Sequence, residues 1–372
     1  MLLIAGCSAD DVVKETTSER AIAISFSCNY DDKEEGYITR AGHQGAMNTE
    51  DLYASGFGVM ASVSAGSVPN LMYNQKVEFT FVGDMDPLKG YWSYSPLKYW
   101  PNSMTDFYIS AYAPYVEPTD LENLPANETG IIGISENNEE PFITYRRCEK
   151  PGNVVDLLWY YATFENHTDI PDAGKLDMKM RHALARLEIK VALAAAPDPV
   201  TTKVLIEKIT LTGEMTRTAN LMLNNETVDG NNHYPIWQAL ETPDVENRTI
   251  QIMNEDNKTE SYGVIDAQVR YIPGLPYSWQ PAGLKVYDAD PEAEDNGMRN
   301  ALSTGDRTGY VYLIPQATLS LKINVKYHKV TSGGVDTVGE KSIDASPVTT
   351  PITISPLNGN TTYTLNVKLS DI

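Results

Sequence analysis

Apolar and charged residues alternate at both ends of the stretch Leu176–Val191, LDMKMRHALARLEIKV, near the middle of the chain. This period-two pattern is typical of a strand with one buried face. The phase changes between Leu184 and Leu187, and a β-bulge near Ala185 would account for the change. The alternative is a helix, because apolar residues from Met180 onward also recur at helical spacing. The regular alternation at both ends favours a bent strand.

Similar alternation occurs near both ends of the chain. Ile22–Tyr30 and Tyr363–Leu369 each carry apolar residues at every second position, and for the first we expect all of them, Ile22 included, to lie in a core. An aromatic segment runs from Tyr91 to Trp100. Further strand candidates are Phe57–Ser62, Lys76–Val82, Phe107–Tyr112, Phe142–Arg146, Val154–Thr163, Val204–Thr212, Val264–Tyr271, Tyr310–Ile314 and Leu319–His328. Many short strands and no convincing long helix predict an all-β chain built from sandwiches.

Length and charge narrow the class of protein. A chain of 372 residues is long enough for two domains of ordinary size. The net charge of −21 repels phosphates and anionic headgroups, which excludes nucleic acid and the membrane surface as main partners. No apolar run is long enough to span a bilayer as a helix.

The first residues, MLLIAGC, place small side chains directly before Cys7. This segment resembles the lipobox of a bacterial lipoprotein signal, which predicts acylation of Cys7 and a new N terminus there, although the usual basic segment before it is missing. The polar residues up to Arg20 then suit a flexible tether. Further on, Arg40 lies in a polar, charged segment bounded by glycines, where we expect an exposed chain and proteolytic cleavage.

Candidate chemistry is sparse. Gly56–Ala61 matches G-x-G-x-x-A but lies within a strand-like run, so we interpret it as structural. The five histidines form no catalytic motif, and we expect His182 to be a hydrogen-bonded core or interface residue rather than a ligand. The acidic loop Asp288–Asp295 lacks the order of a calcium loop, so we predict no metal site and no cofactor.

Two questions about side chains stay open at this point. Cys28 and Cys148 could pair in an exported protein, but two separate buried thiols are favoured. The five tryptophans could form a sugar-stacking platform, yet their spacing favours buried sheet residues; they are Trp92, Trp100, Trp159, Trp237 and Trp279.

Several segments, in this order, resemble the fimbrillin family, which comprises the type V pilins and related surface lipoproteins of Bacteroidetes. They are Ile4–Cys7, Ala23–Cys28, Thr39–Ala41, Lys98–Pro101, Asp106–Tyr115, Val155–Ala162, Arg181–Val191, Tyr312–Gln316 and Tyr363–Leu369. Each segment is weak alone, but their order covers nearly the whole chain.

The resemblance implies two transthyretin-like β-sandwich domains in tandem, which we place at residues 21–174 and 175–372 after a signal remnant and tether at residues 1–20. It also implies a non-enzymatic subunit of a cell-surface fimbria, anchored in the outer membrane by lipid and partnered by other subunits and by host or bacterial surface ligands. Cleavage between Arg40 and Ala41 would free the first strand, although Arg20 offers a second site.

A neighbouring subunit would then fill the groove with a strand of its own. The C-terminal strand is the expected donor, because Tyr363, Leu365, Val367 and Leu369 repeat the spacing of the first strand. The alternatives are a glycan-binding surface lipoprotein that does not polymerise and a secreted hydrolase.

Overall fold

The computed structural model describes most of the chain. The described residues are 21–30, 47, 49–63, 71–82, 90–101, 107–126, 128–136, 140–148, 155–193, 202–251, 284–285, 299–300, 311–331, 336–343, 352–354 and 356–369. Within them the structure is all-β, with three sheets and a single short helix, α1 (Thr49–Ser55). Short 3-10 turns occur at Pro118–Leu121, His167–Asp169 and Asp172–Gly174.

The first sheet has seven strands in the spatial order β1-β9-β8-β5-β2-β3-β4. Its strands are β1 (Ser25–Tyr30), β2 (Phe57–Val63), β3 (Met72–Phe81), β4 (Gly90–Ser93), β5 (Phe107–Ala113), β8 (Leu158–Phe164) and β9 (Lys175–His182). All neighbours in this sheet are antiparallel except β1 and β9, which run parallel.

The second sheet is arranged around the long strand β11, which pairs with β16, β7, β12 and β13. Its strands are β6 (Gly130–Ile134), β7 (Phe142–Arg146), β11 (Thr202–Asp229), β12 (Asn232–Gln251), β13 (Leu284–Lys285), β16 (Leu319–Thr331), β17 (Asp336–Ile343) and β18 (Ile352–Ile354). The third sheet is smaller and contains β10 (Ala185–Leu193), β14 (Arg299–Asn300), β15 (Val311–Leu313) and β19 (Thr362–Leu369).

The middle strands of the first sheet are buried on both faces, which is why β5, FYISAYA, is apolar almost throughout. Ile109 and its neighbours on one face join a first core with β1 and α1. On the other face, Met60, Tyr112 and Trp159 join a second core with residues of the second and third sheets. The second core therefore mixes residues from both sides of position 174, and the division of the chain into two domains there stays a prediction.

The central stretch is β-structure, as its alternation predicts, but it forms two strands rather than one bent strand. β9 ends at His182 and lies in the first sheet, whereas β10 begins at Ala185 and lies in the third. The expected bulge is a break, because Ala183 and Leu184 bond to residues outside both strands. The Ala183 amide donates to Leu157 O at 2.7 Å, and Leu184 O accepts from the Asn360 amide at 3.1 Å.

Most predicted strands are observed within a few residues, and Phe142–Arg146 is confirmed as β7. The predicted strand Val204–Thr212 is the first part of the much longer β11. Ile22 is a correction, because it precedes β1 and is 37% exposed instead of lying in the core. The candidate Val264–Tyr271 lies outside the described residues.

Candidate strand-binding site

β1 forms one end of the seven-stranded sheet and runs parallel to β9, with Ser25 opposite Lys175 and Tyr30 opposite Met180. Strands paired in parallel cannot be joined by a tight hairpin. Ser27 and its partner Asp177 are in fact 150 residues apart in the chain. β1 is therefore held in the sheet by non-covalent contacts and by the chain that follows Tyr30.

The segment 92–100, which we call the aromatic wall, bonds to the second edge of residues 22–28, which lead into β1 and include its first four residues. The Ile24 amide donates to Lys98 O at 2.9 Å, and the Trp100 amide donates to Ile22 O at 2.9 Å. Two side chains add bonds, one to the carbonyl of Ile24 just before β1 and one to the carbonyl of Cys28 within it. The Tyr94 hydroxyl donates to Ile24 O at 2.9 Å, and the Trp92 indole donates to Cys28 O at 3.3 Å. β1 thus occupies a slot between β9 and the aromatic wall, which we call the β9 slot.

The inner face of β1 fills the first core. Ile24, Phe26 and Cys28 are buried, in agreement with the predicted alternation. The ring of Phe26 has its centroid 5.9 Å from that of Phe57 and 5.5 Å from that of Tyr94. Burial, with a smaller contribution from Asp177, raises the pKa of the Cys28 thiol far above its ordinary value. The thiol therefore stays protonated and packs as a small apolar group.

The outer face of β1 carries a polar cross-strand contact at Ser27. The Ser27 hydroxyl donates to Oδ1 of Asp177 at 2.7 Å, on the exposed side of the parallel pair.

Gly174, directly before β9, lies against the backbone that leads into β1. It has φ +71°, and a Cβ there would lie 2.4 Å from Ala23 O. The Trp100 indole donates to Gly174 O at 3.0 Å. A glycine is needed here because the backbone before β1 passes directly over it.

The predicted donor strand is observed as β19, and it also runs parallel to its neighbour, β10. Tyr363 is opposite Leu187, and the amide of Arg186 donates to Thr361 O at 3.0 Å. The four predicted donor residues, Tyr363, Leu365, Val367 and Leu369, are opposite Leu187, Ile189, Val191 and Leu193. β19 therefore has a place in its own chain, which we call the β10 slot.

The predicted lipidation and processing residues Cys7, Arg20, Arg40 and Ala41 lie outside the described residues, and their roles stay predictions. Met47 is the first described residue after the segment that holds Arg40. Its amide donates to Oδ2 of Asp156 at 3.0 Å.

His182 is a hydrogen-bonded core residue, as predicted. Its Nδ1 lies 2.6 Å from Oδ2 of Asp156, and both side chains are buried. Asp156 also accepts from the amide of Leu157 at 2.9 Å through Oδ1. The carboxylate thus joins the end of β9, the approach to β8 and the backbone at Met47.

Cys28 and Cys148 lie apart from each other. Cys28 is buried in the first core and Cys148 in the second, which confirms the interpretation of two separate buried thiols.

The glycine motif is structural, as predicted. Gly56 follows α1 with φ +64° and its amide bonds to Leu52 O, whereas Gly58 makes room for the ring of Tyr112. Neither glycine faces a phosphate-binding helix end.

The described tryptophans do not form a sugar-stacking platform. Trp100 and Trp159 are fully buried, and Trp92 and Trp237 are partly buried and donate to backbone carbonyls. Trp279 and the acidic loop Asp288–Asp295 lie outside the described residues. In the part of the chain that is described, no three metal-ligating side chains come together, and no helix has the length and apolar character needed to cross a membrane.

Sequence reasoning missed the role of the aromatic wall. Its aromatic density was visible, but nothing in the spacing of Trp92 and Tyr94 shows that their polar atoms face the carbonyls of β1. A signal that could have pointed to the slot is the concentration of tyrosine and tryptophan between Tyr91 and Trp100. These residues can bury a ring and still donate a hydrogen bond.

A family model described as fimbrillin-like matches residues 39–372, which is most of the chain. The chain belongs to the fimbrillin-like family. No curated protein matches this fimbrillin-like chain.

A solved structure shares its fold. A fimbrial protein from Bacteroides vulgatus is 18% identical with a TM-score of 0.59, and the match covers 93% of this chain and 95% of that one. A protein from Bacteroides uniformis described as a cell adhesion protein is 11% identical with a TM-score of 0.38, covering 94% of each chain. The first match supports the fold of the fimbrillin-like chain. The second has too low a TM-score to support any conclusion.

Proposed function

We propose that this fimbrillin-like chain is a structural subunit of a cell-surface fimbria that takes part in adhesion, and that it assembles by strand exchange after proteolysis. The observation that carries the proposal is the placement of β1. It is a buried edge strand, paired in parallel with β9, and a cut between Tyr30 and Met47 leaves it without a covalent link to the sheet.

Loss of β1 would leave an energetically costly groove. Leu176, Met178 and Met180 of β9 are buried, with β1 as their neighbour on that edge. Each large apolar side chain returned to water costs about 1.5–3 kcal/mol. The backbone edge of β9 and the donors of the aromatic wall would also lose their partners. A strand from another subunit relieves both costs at once.

β19 is the proposed donor. Among the described strands it pairs with β10 alone, and its alternation matches that of β1. Donation of β19 by one subunit to the β9 slot of the next is a head-to-tail contact that does not close, so it yields a filament.

The remaining features of the proposal are supported by the lipobox-like segment and by what membership of the fimbrillin-like family implies. Cys7 carries the lipid that anchors the chain in the outer membrane, and Arg40–Ala41 is the processed bond. The described sheets belong to two transthyretin-like sandwiches in tandem. The partners are further fimbrial subunits and ligands on host or bacterial surfaces, and the role is structural rather than catalytic.

Electron microscopy of the purified full chain, before and after limited trypsin treatment, tests the proposal. We expect filaments or gel ladders only after cleavage. Because trypsin also cuts after lysine, every chain carries Lys33→Ala. In that background Arg40→Ala should stay monomeric, Arg20→Ala should behave as the parent chain, and the variant with both arginines replaced shows whether Arg20 can replace Arg40. Deletion of residues 361–372 should block assembly while the first core stays folded. Cut protein that stays monomeric contradicts the fimbrial assembly, and filaments from the deletion variant contradict the role of β19.

A further inference from the structure

The two edges that hold the terminal strands have the same residue pattern. β9 presents Leu176–Met180, L-D-M-K-M, to β1, and β10 presents Leu187–Val191, L-E-I-K-V, to β19. Each segment reads leucine, acidic residue, apolar residue, lysine, apolar residue. Both pair in parallel, so the two edges offer the same order of positions to a strand.

The strands that occupy these edges also share a pattern. Phe26–Tyr30 is F-S-C-N-Y and Tyr363–Val367 is Y-T-L-N-V. Each reads aromatic residue, hydroxyl residue, apolar residue, asparagine, apolar residue. The register agrees as well, because Phe26 is opposite Leu176 and Tyr363 is opposite Leu187. Every later position in the two segments then corresponds.

We propose that the edges of β9 and β10 are two versions of one strand-binding slot, and that β19 of a second copy enters the β9 slot in the register of β1. This inference rests on the proposed function, which names β19 as the donor, and adds the register of that donor and the residues that set it. Tyr363 takes the place of Phe26, Thr364 that of Ser27, and Asn366 that of Asn29.

The contacts of β1 show why this register fits. Phe26 lies between the rings of Phe57 and Tyr94, an environment suited to the aromatic ring of Tyr363. The Ser27 hydroxyl bonds to Asp177, and a threonine can donate the same bond. Tyr363 already packs against the second core from the β10 slot, as Phe26 packs in the first.

The hydrogen bonds that the aromatic wall donates and accepts do not depend on the side chains of the strand, although the ring of Tyr94 contacts Phe26. These bonds go to backbone groups of residues 22–28, namely the amide and carbonyl of Ile24 and the carbonyls of Ile22 and Cys28. In the proposed register Thr361 takes the place of Ile24. No proline occurs between Gly359 and Leu369, so every residue of the incoming strand has the amide that a ladder needs.

Shifted registers fit less well. A slip of one residue turns the apolar face of β19 toward solvent. A slip of two keeps the faces but removes the aromatic side chain from the site between Phe57 and Tyr94, because Thr361 or Leu365 would then stand there. The aromatic position and Asp177 together therefore select one register.

Disulfide trapping between two chains tests the register. Every chain carries Cys7→Ala. Chains with Lys179→Cys are mixed with chains with Asn366→Cys, and the mixture is cut with trypsin and then oxidised. Each control mixture uses the same Asn366→Cys chain. In the proposed register the two cysteines are directly opposite, about 5 Å apart, within disulfide range. Lys175→Cys is the matched control, because it lies on the same exposed face of β9 but about 13 Å along the strand.

We expect a covalent dimer from the Lys179→Cys mixture and none from the Lys175→Cys mixture. A third mixture with Lys190→Cys reports entry of β19 into the β10 slot of another chain. Dimers only with Lys175→Cys or only with Lys190→Cys, or filaments without any cross-link, would overturn the inference and leave the fimbrial proposal standing. Cut protein with neither filaments nor cross-links would overturn both.

Discussion

Asp156 accepts a hydrogen bond at 2.6 Å from the ring of His182, where β9 ends, and both side chains are shielded from solvent. The same carboxylate accepts from the amides of Met47 and Leu157. One buried acidic group therefore fixes three segments that are distant in sequence. Met47 is also the first described residue after Arg40, so this contact would hold the new N-terminal part of a cut chain.

Asp156→Ala should destabilise the fold by about 3–5 kcal/mol, because it leaves buried donors without an acceptor. Chemical denaturation followed by tryptophan fluorescence measures the change. Glu165→Ala is the matched control, since Glu165 is an exposed carboxylate, and it should change stability by less than about 0.5 kcal/mol. Equal stability of the two variants would contradict the role assigned to Asp156.

Tyr94→Phe should weaken the hold on β1. The substitution keeps the ring beside Phe26 but removes the hydroxyl that bonds to Ile24 O, at a cost of about 0.5–1.5 kcal/mol. In trypsin-cut protein the fragment ending at Arg40 should then dissociate several-fold faster, as measured by gel filtration and mass spectrometry. Tyr99→Phe, at a half-exposed tyrosine of the same segment, should leave the release rate unchanged.

Gly174→Ala should disturb the start of β1 through a steric clash. Gly174 and Gly230 both have positive φ, but a Cβ at Gly174 would meet Ala23 O at 2.4 Å, whereas a Cβ at Gly230 has no heavy atom within 4 Å. Gly230→Ala therefore measures the backbone strain alone, about 1–2 kcal/mol. The loss of unfolding free energy in Gly174→Ala should be clearly larger than that in Gly230→Ala. Similar losses in the two variants would show that the close approach of Ala23 O to Gly174 does not matter for stability.

Alkaline pH should destabilise the protein through buried tyrosines. Burial raises the pKa of Tyr108 to about 12 and that of Tyr160 to about 12. Below pH 10 both are protonated in the folded and the unfolded chain, so stability is fully present there. Between pH 10 and 12 the unfolded chain loses protons that the folded chain keeps, so the free energy of unfolding falls as pH rises. Tyr108→Phe and Tyr160→Phe should each make this fall shallower, and an unchanged slope in both would contradict the assignment.

Cys7→Ala tests the lipid anchor independently of assembly. We expect the wild-type chain to partition with the membrane fraction and the variant to move to the soluble fraction. Cys148→Ala removes a thiol that lies in the second core, so it should not alter partitioning. Identical partitioning with and without Cys7 would remove the lipoprotein assignment.

The local parts of the fold could be predicted from the sequence, because alternation reports one buried face. β7 and β9 are examples: the burial of Leu176, Met178 and Met180 follows their period-two pattern. The same alternation could not show that His182 and Ala185 belong to strands of different sheets. That break depends on distant partners, Leu157 and Asn360, which meet the backbone of Ala183 and Leu184 only in the folded chain.

Alternation likewise predicted only part of the candidate site. The apolar face of β1 was readable from Ile24, Phe26 and Cys28, but its parallel partner and the aromatic wall were not. Ile22 was placed in the core because it keeps the alternation, yet the strand begins only at Ser25 and Ile22 is 37% exposed. Alternation does not show where pairing starts.

Parallel pairing of a terminal strand also decides how a subunit bears force. β19 pairs with β10 from Thr362 to Leu369, and its backbone bonds bridge two strands that point the same way. A pull along the axis of β19 loads this whole ladder in shear, so that its bonds share the tension instead of opening one after another as in a peeled hairpin. The same geometry at β1 and β9 would let a fibre built on these edges resist the drag of flowing liquid.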